Sequence, residues 1–336
     1  MDQRFDFTSD NVAGAMPEVI EALSRLNGGF AASYGEDEVS DRAGDLIREL
    51  LDVDAEIHFV SSGTAANALT LAALAAPHEA IIAHELSHLA TDETGAPGLF
   101  GAGMGIIPVA GPSGRIDAAA LAKALAQPEG AHWQSPAAIS FTNATEFGTL
   151  YAKADLELLI GAAKDRGLKI HVDGARLANA AAAGFELKSL ARLGADIVVV
   201  GGTKAGSTPT EAIVLIERSV RRRFGARLKH GGQMVSKSRF LAAPWIGMLE
   251  TGAWTRRAGH ANAMAQRLAA LVPFPLAHPV EANGVFVRMD EAQQSLLRQS
   301  GWVVERFGDG SVRFMCSWAT TPEAVDELGE ALAALV

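Results

Sequence analysis

A single cysteine, Cys316, rules out an intrachain disulfide in this 336-residue chain, and nothing in the sequence points to an oxidising compartment. A catalytic thiol would need a histidine partner and electropositive surroundings. Phe314-Met-Cys-Ser-Trp318 reads instead as an apolar strand, so Cys316 is assigned to the core. Basic charge is scarce too: 29 Lys and Arg against 39 Asp and Glu leave a formal net charge of −10. That balance argues against nonspecific nucleic-acid binding, which needs clustered cations. The one dense basic run, Arg221-Arg222-Arg223, is read as a solvated helix face. No uninterrupted apolar stretch reaches membrane-spanning length. The start, Met1 to Phe7, has neither the basic nor the apolar segment of a secretory signal, so a cytoplasmic location is expected. Internal repeats, low-complexity tails and charged linkers are all missing.

What is present suits a soluble α/β enzyme: 49% hydrophobic residues, 20% charged and 34 glycines. The length allows one large unit and a smaller one. Strand-like runs recur at 57–60, 80–83, 105–109, 137–142, 168–172, 196–200 and 212–216. Helical patterns fall between them at 40–51, from 65 to 76, 117–126, 154–166 and 187–193. This alternation predicts a mostly parallel sheet covered on both faces. The Gly-rich run 95–105 reads as a loop free to move. After residue 217 the pattern changes to a long helical stretch at 238–271. Strands at 284–289 and 311–315 and helices at 291–300 and 322–335 follow. The division expected is a large cofactor-binding unit over 1–240, whose N-terminal segment contacts substrate, and a small C-terminal α/β unit over 241–336 that includes the long helical stretch.

Two motifs carry the chemistry. His171-Val-Asp173-Gly-Ala-Arg176 and Val200-Gly-Gly-Thr203-Lys204-Ala-Gly206 each follow a buried strand, and ligand-contacting residues of open α/β sheets gather past the carboxyl ends of strands. An acid at one strand end and a lysine at another suit pyridoxal phosphate. The amine of Lys204 would form a Schiff base with the aldehyde, and Asp173 would keep the pyridine nitrogen protonated. Ser62-Gly63-Thr64 lies at a strand-to-helix turn, where free amides, the helix dipole and the Thr64 hydroxyl bind a dianionic phosphate. Arg176 and Arg313 are candidate forks for an α-carboxylate. His84-Glu85-Leu-Ser-His88 matches the zinc-hydrolase pattern, which needs both histidines on one helix face. Here the motif directly follows a strand and no third ligand motif comes after it. His88 is therefore assigned to stacking on the pyridine ring and His84 to a structural role; no metal ligand set is assigned.

These residues resemble the low-specificity L-threonine aldolases among the fold-type I pyridoxal-phosphate enzymes, along nearly the whole chain. The resemblance takes in Thr8-Ser9-Asp10-Asn11, Tyr34-Gly35-Glu36-Asp37, Ser62-Gly63-Thr64, the His88 and Glu93 pair, Asp173-Gly-Ala-Arg176, Thr203-Lys204, Arg227-Leu-Lys229-His-Gly-Gly and Arg313. It implies an aspartate-aminotransferase-like large unit with a small C-terminal one, and retro-aldol cleavage of β-hydroxy-α-amino acids such as L-threonine and L-allo-threonine to glycine and an aldehyde. It also implies roles. Lys204, Asp173 and His88 serve the ring; Gly63 and Thr64 hold the phosphate; Ser9, Arg176 and Arg313 hold the substrate carboxylate. His88, Glu93 or a water is the base for the β-hydroxyl. Arg176, Arg227 and Lys229 count among the cofactor contacts, the last two across a subunit interface, which implies a dimer or tetramer. Two positions depart from the family's pattern: Glu146, where relatives often carry a second histidine, and Ser207-Thr-Pro after the lysine. A β-eliminating lyase shares the cofactor site and is the alternative reaction; the zinc hydrolase is a more distant one.

Overall fold

The computed structural model describes residues 5–127 and 130–336. Strands Glu56–Val60 (β1), Glu79–His84 (β2), Gly105–Val109 (β3), Ser135–Thr142 (β4), Lys169–Gly174 (β5), Ile197–Gly201 (β6) and Glu211–Leu215 (β7) form one sheet in the order β1-β7-β6-β5-β4-β2-β3. Only β7 runs against its neighbours. Alternate side chains leave opposite faces of a strand. Val198 and Val200 join Ile170, Val172 and Trp245 in one core, while Ile197 and Val199 meet Val60, Leu69, Phe224 and Leu228 in another. Both faces of β6 and β7 are therefore buried, which is why these strands are apolar apart from Glu211. The expected α/β architecture and mostly parallel sheet are what the chain forms.

A second sheet follows: Gly284–Val287 (β8), Glu305–Arg306 (β9) and Val312–Met315 (β10), antiparallel in the order β8-β10-β9. Its core gathers Val285, Val312 and Phe314 with Leu297, Leu328 and Leu332 from two helices. Ala265 and Leu268, late in the Ala253–Leu271 helix, belong to the same core. So does Phe7, whose carbonyl accepts a 2.6 Å bond from the Met315 amide. The N-terminal segment is thus sewn to the C-terminal sheet just before it reaches Ser9.

Several local expectations need correction. The stretch 238–271 is two helices, Arg239–Glu250 and Ala253–Leu271, broken at Gly252, whose φ of +67° disfavours a continuous helix. The run 95–105 is built rather than loose: Ala96–Phe100 is helical, Pro97 and Met104 are buried. Arg221 is no solvated residue, because its guanidinium caps the carbonyls of Leu215, Ile216 and Asp54; Arg222 and Arg223 are exposed. The helix Pro17–Leu26 and the two-residue β9 lie outside the sequence expectations. Among the described residues, no helix is long and apolar enough to cross a membrane.

Candidate active site

The lysine turn joins β6 to β7 and is pinned from behind by two tryptophans. Trp254 Nε1 donates to the Gly201 carbonyl at 3.0 Å, and Trp245 Nε1 to Thr210 Oγ1 at 3.0 Å. A Cβ on Gly202 would sit 2.6 Å from the Thr210 carbonyl oxygen and 2.9 Å from the Trp245 ring, so only glycine fits there. The Gly202 amide donates to buried Glu211 at 2.9 Å, and burial raises the Glu211 carboxyl to about 7. Lys204 emerges from this rigid turn half-buried and, among the described residues, without a hydrogen-bond or ion-pair partner. Burial lowers its pKa, the Arg176 charge adding to the effect.

Next to it the ends of β4 and β5 stand in register, Thr142 against Asp173. Asp173 is buried; Oδ1 accepts from the Ala175 amide at 3.0 Å and Oδ2 from Asn67 Nδ2 at 2.9 Å. The same Asn67 nitrogen donates to Glu93 Oε1 at 2.8 Å, and that oxygen lies 2.9 Å from His88 Nδ1. His88, Glu93, Asn67 and Asp173 thus form one hydrogen-bonded chain. The bond to Glu93 raises the His88 pKa; burial raises that of Glu93. Behind Asp173, His171 is fully buried between Ser140 and Thr70, and burial pushes it down to about 4, so it stays neutral.

Asn67 stands on the Gly63–Leu74 helix, whose N-cap is Ser62, its Oγ accepting from the Ala65 amide at 3.2 Å. The first-turn amides of Gly63 and Thr64 have no intrahelical carbonyl to bond. A Cβ on Gly63 would meet nothing within 4 Å, so this helix end faces open space.

A cavity of about 370 Å³ is lined by Ser9, His88, Glu146, Arg176, Lys204 and Arg313, among others. Arg176 is committed to Asp10 by a buried fork, Nε to Oδ2 at 2.7 Å and Nη2 to Oδ1 at 2.9 Å. Burial would raise the Asp10 pKa, but Arg176 outweighs it and holds the carboxylate below the ordinary range. Asn283 also donates to Asp10, at 3.0 Å, tying in the C-terminal unit. Arg313, on β10, bonds Glu305 at 2.8 Å, stacks over Phe307 and leaves its buried Nε without a partner. Glu146 borders the cavity with Oε1 accepting from the His88 amide at 2.8 Å and the Thr142 hydroxyl at 3.1 Å; burial raises its pKa.

Ser9, His88, Arg176, Lys204 and Arg313 therefore meet at one cavity, with Asp173 and Glu93 linked to it through Asn67. Arg227 and Lys229 do not reach it: both are exposed on the Phe224–His230 helix, where Lys229 lies over the Tyr34 ring. The two histidines of His-Glu-x-x-His share no helix face. His84 ends β2 and binds the Gly111 carbonyl and the Leu86 amide, whereas His88 opens the short helix His88–Thr91. Sequence reasoning missed Asp10 and Asn67 as site residues. Each had a signal: a buried arginine needs a carboxylate, and Asn67 is a polar intruder in an Ala/Leu-rich helix.

The profile of the beta-eliminating lyase family matches residues 6–292. A low-specificity L-threonine aldolase of Pseudomonas sp. (strain NCIMB 10558) is 40% identical over 342 residues, covering 100% of this chain and 99% of that protein. The structure of the Leishmania major threonine aldolase superposes with a TM-score of 0.92 at 30% identity, covering 98% of this chain and 99% of that one. An SPT structure holding PLP, at 18% identity and TM-score 0.67, covers 98% of this chain and 84% of that one and shares the fold.

Proposed function

From the premise that the chain belongs to the L-threonine aldolases of the beta-eliminating lyase family, we propose that it is a pyridoxal-phosphate-dependent aldolase. It cleaves L-threonine, L-allo-threonine and related β-hydroxy-α-amino acids reversibly to glycine and an aldehyde. The observation that carries this reading is Lys204: a half-buried amine, without a partner among the described residues, on a rigid turn beside the buried, hydrogen-bonded Asp173 at the next strand end.

The residues fit the cofactor. Lys204 would form the covalent link to the aldehyde, and burial, by lowering its pKa, favours the neutral nucleophilic amine. Asp173, fixed by two donors, accepts the ring N–H. The Gly63 and Thr64 amides lie in the first turn of a helix with open space beside Gly63 and would hold the phosphate. When bound, pyridoxal phosphate supplies an electron sink for the pair released as the Cα–Cβ bond breaks.

The chain's own groups do the rest. Arg313, which lines the cavity, holds the substrate carboxylate, and Ser9 with the remaining amino group of Arg176 completes that end. This fixes the Cα–Cβ bond relative to the ring. His88 would stack on the ring, and it is the base for the β-hydroxyl proton, because Glu93 holds Nδ1 and leaves Nε2 for the cavity. Glu93 orients His88; its side chain is wholly buried and does not border the cavity. Arg227 and Lys229 serve a second copy of the chain, in a cytoplasmic dimer or tetramer.

The test is aldehyde release from L-threonine, L-allo-threonine and L-phenylserine with cofactor present, read by a coupled reductase. Aldehyde with equimolar glycine is expected. A cofactor-loaded protein that yields pyruvate and ammonia from L-serine but no aldehyde moves the assignment to β-elimination. Lys204→Ala should abolish both turnover and the visible band, and a retained band sinks the lysine assignment.

A further inference from the structure

We propose that Asn67 is a positioning residue: its side-chain amide bridges the carboxylates of Glu93 and Asp173 and holds them side by side, and this bridge sets how tightly the cofactor binds. The inference rests on the reading that the site takes pyridoxal phosphate.

An amide nitrogen has two hydrogens, and both are used here: Nδ2 lies 2.8 Å from Glu93 Oε1 and 2.9 Å from Asp173 Oδ2. Turning the amide over would set its carbonyl oxygen against two carboxylates, so this is the orientation the chemistry allows. Asn67 Oδ1 has no partner, although the residue is only 2% exposed. Burying an unsatisfied acceptor is unfavourable, so the donors must account for an asparagine in a helix otherwise built from Ala, Leu, Thr and Gly. Glu93 is the other half of the argument. Its Oε2 also lacks a partner, leaving Oε1 to take both His88 and Asn67.

Two carboxylates held this close repel, and burial strengthens the repulsion. The shared donor offsets it. Without the amide, Glu93 gains a proton from solvent and can turn its O–H toward Asp173 Oδ2. That hydroxyl then competes with the ring N–H for the same acid. The helix position adds a geometric consequence. Asn67 lies four residues, about 6 Å of helix rise, from Gly63, so one rigid element sets both the phosphate amides and the acid under the ring nitrogen.

The experiment is a double-mutant cycle on cofactor affinity. Cofactor-free wild type, Asn67→Ala, Glu93→Gln and the double variant are titrated with pyridoxal phosphate while the visible band is followed. Loss of a hydrogen bond to a charged group predicts that Asn67→Ala weakens binding about tenfold or more. In the Glu93→Gln background, where the repulsion is gone, the same change should cost less than about threefold. Equal losses in both backgrounds mean that Asn67 packs or touches the cofactor itself, and overturn the bridge. Asn67→Asp keeps the volume and removes the donor, so it should bind at least as weakly as Asn67→Ala even if the latter folds poorly. Wild-type affinity in Asn67→Asp overturns the proposal as well. A wild type that develops no visible band fails earlier, at the cofactor assignment, and takes this inference with it.

Discussion

Two arginines face the same cavity from opposite units and are held in opposite ways. Arg176, beside the end of β5, is 8% exposed, and two of its nitrogens are used by Asp10, itself bonded to Asn283. Arg313, on β10, has one bond to a half-exposed glutamate and a buried nitrogen with no partner. The first is a structural junction joining the N-terminal segment, the large sheet and the C-terminal unit. The second is less committed, and it is the one to which the proposed function gives the substrate carboxylate. Residue type alone made both look like carboxylate forks; what separates them is whether the protein has already supplied the carboxylate.

The junction gives the largest expected effect. Asp10→Ala leaves the Arg176 cation buried and unpaired, so the protein should lose roughly 3–5 kcal/mol of stability by urea unfolding at pH 7. The sign of its pH dependence follows from the depressed Asp10 pKa. Its contribution is complete above the ordinary value of 3.8 and is lost as pH falls through the lower folded value. The gap between wild type and variant should therefore narrow only below pH 3.8. A gap that stays constant into that range would show that Asp10 acts by packing.

Arg313→Leu should do the reverse, leaving stability nearly unchanged while raising KM for L-threonine about 10- to 100-fold, the equivalent of one or two charged hydrogen bonds. An unchanged KM would move carboxylate binding back to Arg176 and dissolve the contrast. Third in size is a shift in the pH profile. Because the Glu93 hydrogen bond raises the His88 pKa above 6.5, a neutral His88 acting as base puts the acid limb of kcat/KM above that value. Glu93→Gln removes the charge and should move the limb down toward 6.5. If the limb stays put, His88 is not the base.

What could be read in the sequence divides along the same line. The seven-stranded sheet was legible because short strand-like runs, most apolar of all in the fully buried β6 and β7, alternate with helical ones, and the lysine turn because glycines around a strand-end lysine have few other uses. Asp173 was read from its place at a strand end, and His88 from the His-Glu-x-x-His run and the family resemblance. Asp10 and Asn67 were not, because their meaning is a partner 166 or 106 residues away, and no local pattern encodes such a pairing. β9 was missed for a different reason: Glu305–Arg306 is two charged residues long, too short for a strand period to show. The break at Gly252 was lost inside a continuous helical pattern, since one glycine in a helix is ordinarily tolerated.

The smallest effect is the sharpest test of the less committed arginine. Glu305 is an intramolecular carboxylate on the very arginine assigned to the substrate's carboxylate, at 2.8 Å but with its side chain 44% exposed. An ion pair that open contributes about 1 kcal/mol at most, so Glu305→Gln should change KM by no more than about fivefold. The direction matters more than the size. If Glu305 competes with substrate for the guanidinium, the variant's KM falls, and added salt, which screens the exposed pair, brings wild type toward the variant. If Glu305 instead holds the fork in the geometry that substrate needs, KM rises. In that case Arg313 is positioned as deliberately as Arg176, and the two units differ only in how exposed the positioning carboxylate is.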